Sequence, residues 1–222
     1  MKGLVCIFSI IIMTINLSYS QVKTSIDTIG TFSDGRDGHV YKWIKIGTQI
    51  WMAKNLAYLP KVDKTKQGYL VKPYYHVYNY HRTNVDSAKA TSNYATYGVL
   101  YNWHAAKESC PTGWHLPNNV EWATLINYLG GEIEANRKMK ESGSEHWKCL
   151  KEDDTNSSGF TALPGGGLVG LELNFNGIGY FGAWWSLDND NYNGWRQRLE
   201  CNDSDLDREA KFQFFSIRCI KD

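Results

Sequence analysis

Residues Gly113–Gly131, GWHLPNNVEWATLINYLGG, decide the fold of this chain because they contain one complete helix with its start and its stop. Asn118 is a residue type that caps helix N-termini, and Glu121 follows three positions later, where its carboxylate can bond back to the cap. Gly130 and Gly131 supply the left-handed residue with which helices commonly end. The pattern predicts an amphipathic helix docked on a core. Its apolar face consists of Trp122, Leu125, Ile126 and Leu129.

The composition is that of an ordinary globular protein, and it argues against a nucleic-acid-binding surface. The chain has 24 lysines and arginines against 23 aspartates and glutamates, and no basic run stands out. Binding to phosphates would require such a basic patch. Nine tryptophans and fourteen tyrosines are the unusual feature. Such rings either fill a core that has little regular structure or form a surface that stacks on flat ligands, and the first use is the commoner.

The first 20 residues have the features of a secretory signal peptide. An early lysine precedes an apolar stretch from Leu4 to about Ile15, and small residues lie before a cleavage site after Ser20. The apolar stretch is shorter than the roughly 20 residues that a membrane-spanning helix needs. We therefore expect a secreted or cell-envelope protein with no membrane span after cleavage. Residues 21–33 would be an N-terminal extension, and residues 34–222 a single domain.

Four cysteines remain after the signal peptide: Cys110, Cys149, Cys201 and Cys219. An even number in a protein sent to an oxidising compartment predicts two disulfides. Four cysteines allow three pairings, and the sequence does not choose among them. We favour Cys110 with Cys219 and Cys149 with Cys201. A zinc site is not expected, because the chain has no Cys-x-x-Cys pair and its histidines are scattered.

The rest of the chain predicts short strands and a few helices. Residues 40–52 alternate apolar and polar side chains around Gly47 and Thr48, which predicts a β-hairpin. Trp184 and Trp185 lie in an apolar stretch that begins with several glycines, and we assign both tryptophans to the core. The other expected elements are a helix over 99–108, helical turns over 133–140, and strands over 177–187 and 214–221.

Residues 59–95 have no sustained hydrophobic period and predict a long surface excursion. Their tyrosines either cover the core from a loop or form an adhesive face, and we favour the first. The second would make the stretch Tyr69–Tyr97 an assembly surface. The protein would then be a structural or adhesive component of the cell envelope.

Several motifs in fixed order resemble the Fibrobacter succinogenes major paralogous domain, a family of secreted bacterial domains. The resemblance covers nearly all of the mature chain. Its segments are RDGHVYKWIKIGTQIWMAKNLAY at Arg36–Tyr58, YGVLYNWHAA at Tyr97–Ala106, CPTGWHLPNNVEW at Cys110–Trp122, GFTALPGG at Gly159–Gly166, WWS at Trp184–Ser186 and FSIRCIKD at Phe215–Asp222.

This family is similar to the C-type-lectin-like group, which includes the formylglycine-generating enzymes. The resemblance implies an α+β fold with two helices on a small, twisted antiparallel sheet and long irregular loops. In that fold a bridge between Cys110 and Cys219 would join the end of the first helix to the last strand.

The motifs of the related enzymes and lectins are missing from the sequence. The formylglycine-generating enzymes use two cysteines four residues apart, and no cysteines here have that spacing. The chain also lacks G-x-S-x-G and H-E-x-x-H motifs and the Glu-Pro-Asn and Trp-Asn-Asp motifs of calcium-dependent lectins. We therefore expect no catalysis, with an enzyme of the formylglycine-generating type as the least favoured alternative.

Two acidic clusters remain as candidates for a cation site, and calcium is the cation they would suit. The second lacks the glycine turn and distal glutamate of an EF-hand, and its alternating aspartates fit a solvated strand edge equally well, so no metal site is assigned. The first cluster contains Asp188, Asp190, Asn191 and Asn193, and the second contains Asp203, Asp205 and Asp207.

The segment Asp188–Arg198, DNDNYNGWRQR, is the best candidate for a binding surface. It combines aromatic rings with amides and arginines, which is the usual make-up of recognition surfaces. The alternative interpretation is a polar hairpin with structural aromatics. We expect a non-catalytic domain that binds a polysaccharide or a cell-surface protein. The candidate ligand-binding residues are Asn189, Asp190, Tyr192, Trp195, Arg196 and Arg198.

Overall fold

A computed structural model describes residues 28–64, 72–149, 154–200 and 204–222. The predicted signal peptide, Cys201 and Asp203 lie outside the described residues. The helices are α1 (Val85–Lys89), α2 (Ser92–Tyr97), α3 (Trp103–Ser109), α4 (Asn119–Leu129) and α5 (Glu132–Met139). The strands are β1 (Thr28–Ser33), β2 (Val40–Ile46), β3 (Gln49–Met52), β4 (Tyr75–His76), β5 (Leu100–Asn102), β6 (Trp114–His115), β7 (Gly165–Val169), β8 (Asn174–Ile178), β9 (Phe181–Asn189), β10 (Asn193–Glu200), β11 (Ser204–Ala210), β12 (Phe214–Phe215) and β13 (Ile220–Lys221).

The strands form three antiparallel sheets. The first has the order β1-β2-β3-β13-β6, the second β4-β5-β12-β7-β8 and the third β11-β10-β9. The fold is therefore α+β, as predicted, and mostly antiparallel sheet. The arrangement differs from the expected pair of helices on one small sheet, since the described residues form five helices and three sheets.

Helix α4 matches its sequence prediction at both ends. The Asn118 side chain accepts the Glu121 N–H at 2.9 Å, and the Glu121 carboxylate accepts the Asn118 N–H at 2.8 Å. This capping box confirms Glu121 as a capping residue. Gly130 ends the helix in the left-handed conformation, with φ of 107°. The four predicted apolar side chains are all buried.

Aromatic rings on both faces of β9 connect two parts of the core. Trp184 packs with α4 and with Phe160, whose ring centroid lies 5.8 Å away. Trp185 points to the other face and packs on Phe215 at 5.0 Å. Both tryptophans are fully buried, which confirms their assignment to the core. Strand β9 is therefore packed on both of its faces at Trp184 and Trp185, and it continues from there to Asn189.

A buried arginine lies where the first sheet, β9 and the loop after Ser158 meet. The Arg218 guanidinium donates to the side-chain oxygen of Asn55 at 2.8 Å and to the carbonyl oxygens of Met52 and Thr161 at 3.3 Å, and it also donates to the carbonyl of Phe160. Burial lowers the pKa of Arg218 to about 9. The group therefore stays charged at neutral pH, and the hydrogen bonds compensate for its loss of water.

The predicted bridge between Cys110 and Cys219 is confirmed. Cys110 is the C-cap of α3, and Cys219 immediately precedes β13. The bridge thus joins a helix to the central part of the first sheet. Cys149 is disulfide-bonded too. Because Cys201 lies outside the described residues, the pairing of Cys149 with Cys201 stays a prediction.

Five segments differ from their sequence predictions. The strands expected over 177–187 and 214–221 are each split, the first between β8 and β9 and the second between β12 and β13. Residues 59–95 are not one surface excursion, since they contain β4, α1 and part of α2, and His76 is fully buried. The helix expected over 99–108 begins only at Trp103, because residues 100–102 pair with β4 and β12 as strand β5. Part of the expected N-terminal extension forms β1, which pairs along its length with β2.

His115 links β6 to the start of α4 and to the end of the chain. Its Nε2 lies 2.8 Å from the Glu121 carboxylate, and its Nδ1 lies 2.7 Å from the Asp222 side chain. Partial burial alone would lower the pKa of His115, but the hydrogen bonds and charges of Glu121 and Asp222 outweigh it and raise the pKa overall.

This raised pKa predicts a pH-dependent contribution to stability. Protonated His115 stabilises the fold fully below its unfolded pKa of about 6.5, and the contribution is lost as the pH rises through the higher folded value. Since the side chain is 37 % exposed, we expect no more than about 1 kcal/mol. Urea unfolding of wild type and His115→Gln at pH 5.5 and pH 9 measures it. The difference between the two proteins should shrink at pH 9, and a constant difference would contradict the prediction.

Candidate functional site

The predicted binding segment forms the hairpin between β9 and β10. Residues 190–192 connect the two strands, and β11 pairs with the other edge of β10. The part of the hairpin near its turn packs tightly against Trp103, the first residue of α3. The indole of Trp103 donates to the Ser186 carbonyl at 3.1 Å, and a Cβ placed on Gly194 would lie 2.4 Å from the Trp103 ring. The hairpin is therefore a fixed element of the domain.

Asp190 organises the turn of the hairpin. Its carboxylate accepts the backbone N–H of Tyr192 at 2.8 Å and that of Asn193 at 2.7 Å. Aspartate commonly forms such turns with the backbone two residues further on. The same hydrogen bonds, from Asn193 and then from Tyr192, lower the pKa of Asp190. Asp190 thus shapes the turn and leaves the Tyr192 side chain, which is 81 % exposed, in solvent.

Two cations, Arg208 in β11 and Lys211 directly after it, hold the turn of the hairpin. The Lys211 ammonium donates to the Asn189 side chain at 2.8 Å and to the Asp190 carbonyl. The Arg208 guanidinium lies 3.6 Å from the Asp190 carboxylate and 5.4 Å from the centre of the Trp195 ring. Arg208 therefore connects the turn to Trp195, its cross-strand partner.

These contacts bring four of the six predicted residues together with one that was not predicted. We call this group the hairpin surface. It contains a highly exposed tyrosine, a half-buried tryptophan, an amide, a carboxylate and an exposed arginine. Its members are Asn189, Asp190, Tyr192, Trp195 and Arg208.

The other two predicted residues lie apart from the hairpin surface. Arg196 is buried, its guanidinium forms a two-point ion pair with Asp207 at 2.7 and 2.9 Å, and it stacks over the Phe215 ring. Arg198 pairs with Glu200 and lies 4.9 Å from the centre of the Phe181 ring. Both arginines occupy the face of β10 opposite Trp195, because successive residues of a strand point to opposite sides.

The aspartates of the two acidic clusters already have partners where the structure describes their side chains. Asp188 accepts the N–H of Asn119 at the start of α4. Asp190 accepts the turn amides, and Asp207 is paired with Arg196. Asp188, Asp190 and Asp207, three of the carboxylates nominated for calcium, thus hold strands and turns together. The cation alternative at these clusters stays an untested expectation.

Residues 44–221 match the family model of the Fibrobacter succinogenes major domain. The chain belongs to this family. Neither a curated protein nor a solved structure matches it. In this Fibrobacter succinogenes major domain, the hairpin surface lies within the matched residues, whereas β1 precedes them. Within the described residues, no helix is long and apolar enough to cross a membrane.

The domain also contains a cavity of about 510 Å³ on another part of its surface. Its lining includes lysines, glutamates and a histidine as well as apolar side chains. Cavities of this size are typical of small-ligand sites. Its titratable lining residues are Lys42, Lys54, Glu141, Glu145 and His146.

Sequence reasoning missed Arg208, Lys211 and this cavity. Arg208 belongs to a charged stretch that carries no motif, and only its pairing with β10 places it beside Trp195. Lys211 directly follows β11, and the pairing of β11 with β10 brings Lys211 to the turn. The cavity itself is formed by side chains from segments far apart in the chain, from Ile29 to Leu163, and no local pattern reports it.

Proposed function

We propose that this protein is a secreted, non-catalytic domain that recognises a polysaccharide at the bacterial cell surface through the hairpin surface. The observation that carries the proposal is the Tyr192 ring, 81 % exposed at a turn fixed by Asp190 and Lys211. A rigid turn loses little conformational entropy on binding. An exposed aromatic plane contributes contact area at low entropic cost.

The composition of the hairpin surface favours a hydroxyl-rich ligand. The Tyr192 ring offers an exposed apolar face, and the half-buried Trp195 adds a second aromatic residue. Asn189 and Asp190 bond within the turn, so the exposed Arg208, which lies beside the Asp190 carboxylate, is the polar group that a hydroxyl-rich or acidic polysaccharide meets. A cell-surface protein is the other candidate ligand class, because aromatic residues and arginine also dominate protein interfaces.

The cysteines support a location outside the cytoplasm and a role without catalysis. Cys110, Cys149 and Cys219 are all disulfide-bonded, and such bonds persist in oxidising compartments. None of the cysteines in the described ranges is then a free thiol. This supports export to an oxidising compartment, and we propose that export follows cleavage of a signal peptide after Ser20 and that the protein is released or stays at the cell envelope. We further propose that the domain is related to the C-type-lectin-like group.

A glycan array that carries bacterial and plant polysaccharides, printed beside a cell-surface protein array, tests the proposal. We expect the mature protein to bind a polysaccharide. The Tyr192→Ala variant should bind at least tenfold more weakly, a loss of about 1.4 kcal/mol. Its melting temperature should change by less than about 2 °C, because the ring is exposed.

Tyr180→Ala is the matched control, since Tyr180 is a second exposed tyrosine, 53 % accessible, that precedes β9. Its binding should equal that of the wild type. Equal binding by Tyr192→Ala and wild type would refute the role of the hairpin surface. If the mature protein bound only to proteins on the arrays, its ligand would be a protein and not a polysaccharide.

The structural or adhesive alternative has less support. It depends on exposed tyrosines between Tyr69 and Tyr97, whereas Tyr75 is buried and Tyr94 is half-buried, with its hydroxyl bonded to the Ala57 carbonyl at 2.8 Å. These rings cover the core, which is the interpretation favoured from the sequence. Residues 65–71 lie outside the described residues.

A further inference from the structure

A histidine is buried in β4 without a hydrogen-bond partner. The His76 side chain is fully buried, and neither of its ring nitrogens has a hydrogen-bond partner among the described residues. Buried polar groups in proteins nearly always have such a partner. A neutral imidazole is tolerated at this position at some cost, whereas a protonated one would be a buried and unpaired charge.

The surroundings of the His76 ring are apolar. The ring meets Phe214 of β12 edge to face at a centroid distance of 4.7 Å and lies 6.5 Å from the ring of Phe175 in β8. Its cross-strand partner in β5 is Leu100. None of these three side chains can accept a hydrogen bond from a protonated imidazole through an oxygen or a nitrogen, and none carries a counter-charge. A charge on His76 would therefore lose its hydration without compensation from β5, β8 or β12.

The ionisable groups that act on His76 do not supply this compensation either. Asp63 already accepts the backbone N–H of Tyr75 at 3.0 Å and pairs with the Lys61 ammonium at 2.9 Å. Burial is the main cause that lowers the pKa of His76 to about 4. The charge of Asp63 opposes this shift, and the charges of His81 and Lys61 add to it. His76 is thus held in its neutral form as long as β4 stays in place.

Strand β4 is the element that can move when His76 takes up a proton. It contains two residues and lies at the edge of the second sheet, where it pairs with β5 alone. The β4 segment, which we define as Tyr74–Tyr78, can therefore detach without breaking any other strand pair of that sheet. Small units of this kind open at a lower free energy than the whole domain. Detachment would bring His76 into water and uncover the edge of β5.

We propose that protonation of His76 releases the β4 segment from the second sheet, which gives the domain an acid-sensitive conformational switch. The switch shares no residue with the hairpin surface, so its test is independent of the proposed polysaccharide binding.

The direction of the pH response follows from the two protonation equilibria of His76. In the released segment the ring takes up a proton below its ordinary pKa of about 6.5, whereas in the sheet it does so only near 4. The released state therefore binds more protons between these values. Attachment of the β4 segment is fully stable above the first value and weakens as the pH falls towards the second. From pH 7 to pH 4.5, the ratio of released to attached segment should rise about 50-fold.

Amide hydrogen exchange of the mature protein at pH 7 and pH 4.5, corrected for the intrinsic exchange rates, tests the switch. We expect opening of the β4 segment to rise about 50-fold in the wild type and less than about fivefold in His76→Phe, whose ring has no ionisable group. His81→Gln replaces an exposed histidine near the segment and is the matched control. Its response should equal that of the wild type. At pH 4.5 the β4 segment should also exchange faster than the amides of β2 and β3.

Two results would overturn the proposal. An equal rise in the wild type and in His76→Phe would show that other groups cause the response. Equal exchange in the β4 segment and in β2 and β3 would show that His76 acts only through unfolding of the whole domain. If His76→Phe does not fold, an NMR titration of the His76 ring in the wild type decides. A pKa near 4 would support the proposal, and one at or above about 6.5 would overturn it.

Discussion

Replacing Cys110 and Cys219 together with alanine is expected to lower the free energy of unfolding by about 5 kcal/mol. The two cysteines are 109 residues apart, so their bridge closes a long loop and removes much of the conformational entropy of the unfolded chain. Domains are commonly stable by only about 5–15 kcal/mol. The variant should therefore be close to unfolding at about 37 °C.

Urea unfolding under non-reducing conditions measures this loss. Alanine suits Cys219 because the residue is fully buried and a serine would add a polar group. The bond of Cys149 stays intact in the variant, whereas reduction of the wild type opens both bonds. Reduction should thus cost at least as much stability as the double replacement. A variant within about 1 kcal/mol of the wild type would show that the bridge contributes little.

Replacing Arg218 with methionine is expected to cost about 3–5 kcal/mol. Two effects oppose each other in this variant. Removing a buried charge recovers its desolvation penalty, but it leaves the carbonyl oxygens of Met52, Phe160 and Thr161 without the Arg218 donors. Each buried acceptor without a partner costs about 1–3 kcal/mol. The loss of donors therefore outweighs the relief of the charge.

Arg218→Lys separates the charge from the geometry. A lysine keeps the charge but lacks the planar fork that reaches acceptors on two segments, residues 52–55 and 160–161, so it should restore less than half of the lost stability. Arg82→Met, at an exposed arginine, is the control and should change the free energy of unfolding by less than about 0.5 kcal/mol. Full stability of Arg218→Met would show that the hydrogen bonds around the guanidinium are dispensable.

The elements that the sequence predicted correctly are those that local chemistry determines. Helix α4 has its cap, its period and its stop within Asn118–Gly130, so no distant residue is needed to define it. The hairpin of β2 and β3 turns at Gly47, which has a positive φ of 59°. Both elements could be predicted because their signals lie within a few residues of each other.

The errors have a different physical origin. Strand β5 exists because Leu100–Asn102 pairs with two distant strands, and no local pattern reports that pairing. The sequence analysis contained Arg218 only as part of the segment FSIRCIKD. Its buried hydrogen-bonding role was not predicted, because its partners lie more than 50 residues away in the sequence. At the candidate site, composition nominated the segment Asp188–Arg198, but only the register of β10 and β11 separates Trp195 from the buried Arg196.

The most direct test of the hairpin surface is the side-chain indole resonance of Trp195 during titration with the strongest ligand from the arrays. The chain has nine tryptophans, and a Trp195→Phe variant identifies the resonance. Trp195 should shift with ligand concentration while the fully buried Trp184 and Trp185 stay unchanged. A titration that moves other tryptophans and leaves Trp195 at its starting position would contradict binding at the hairpin surface.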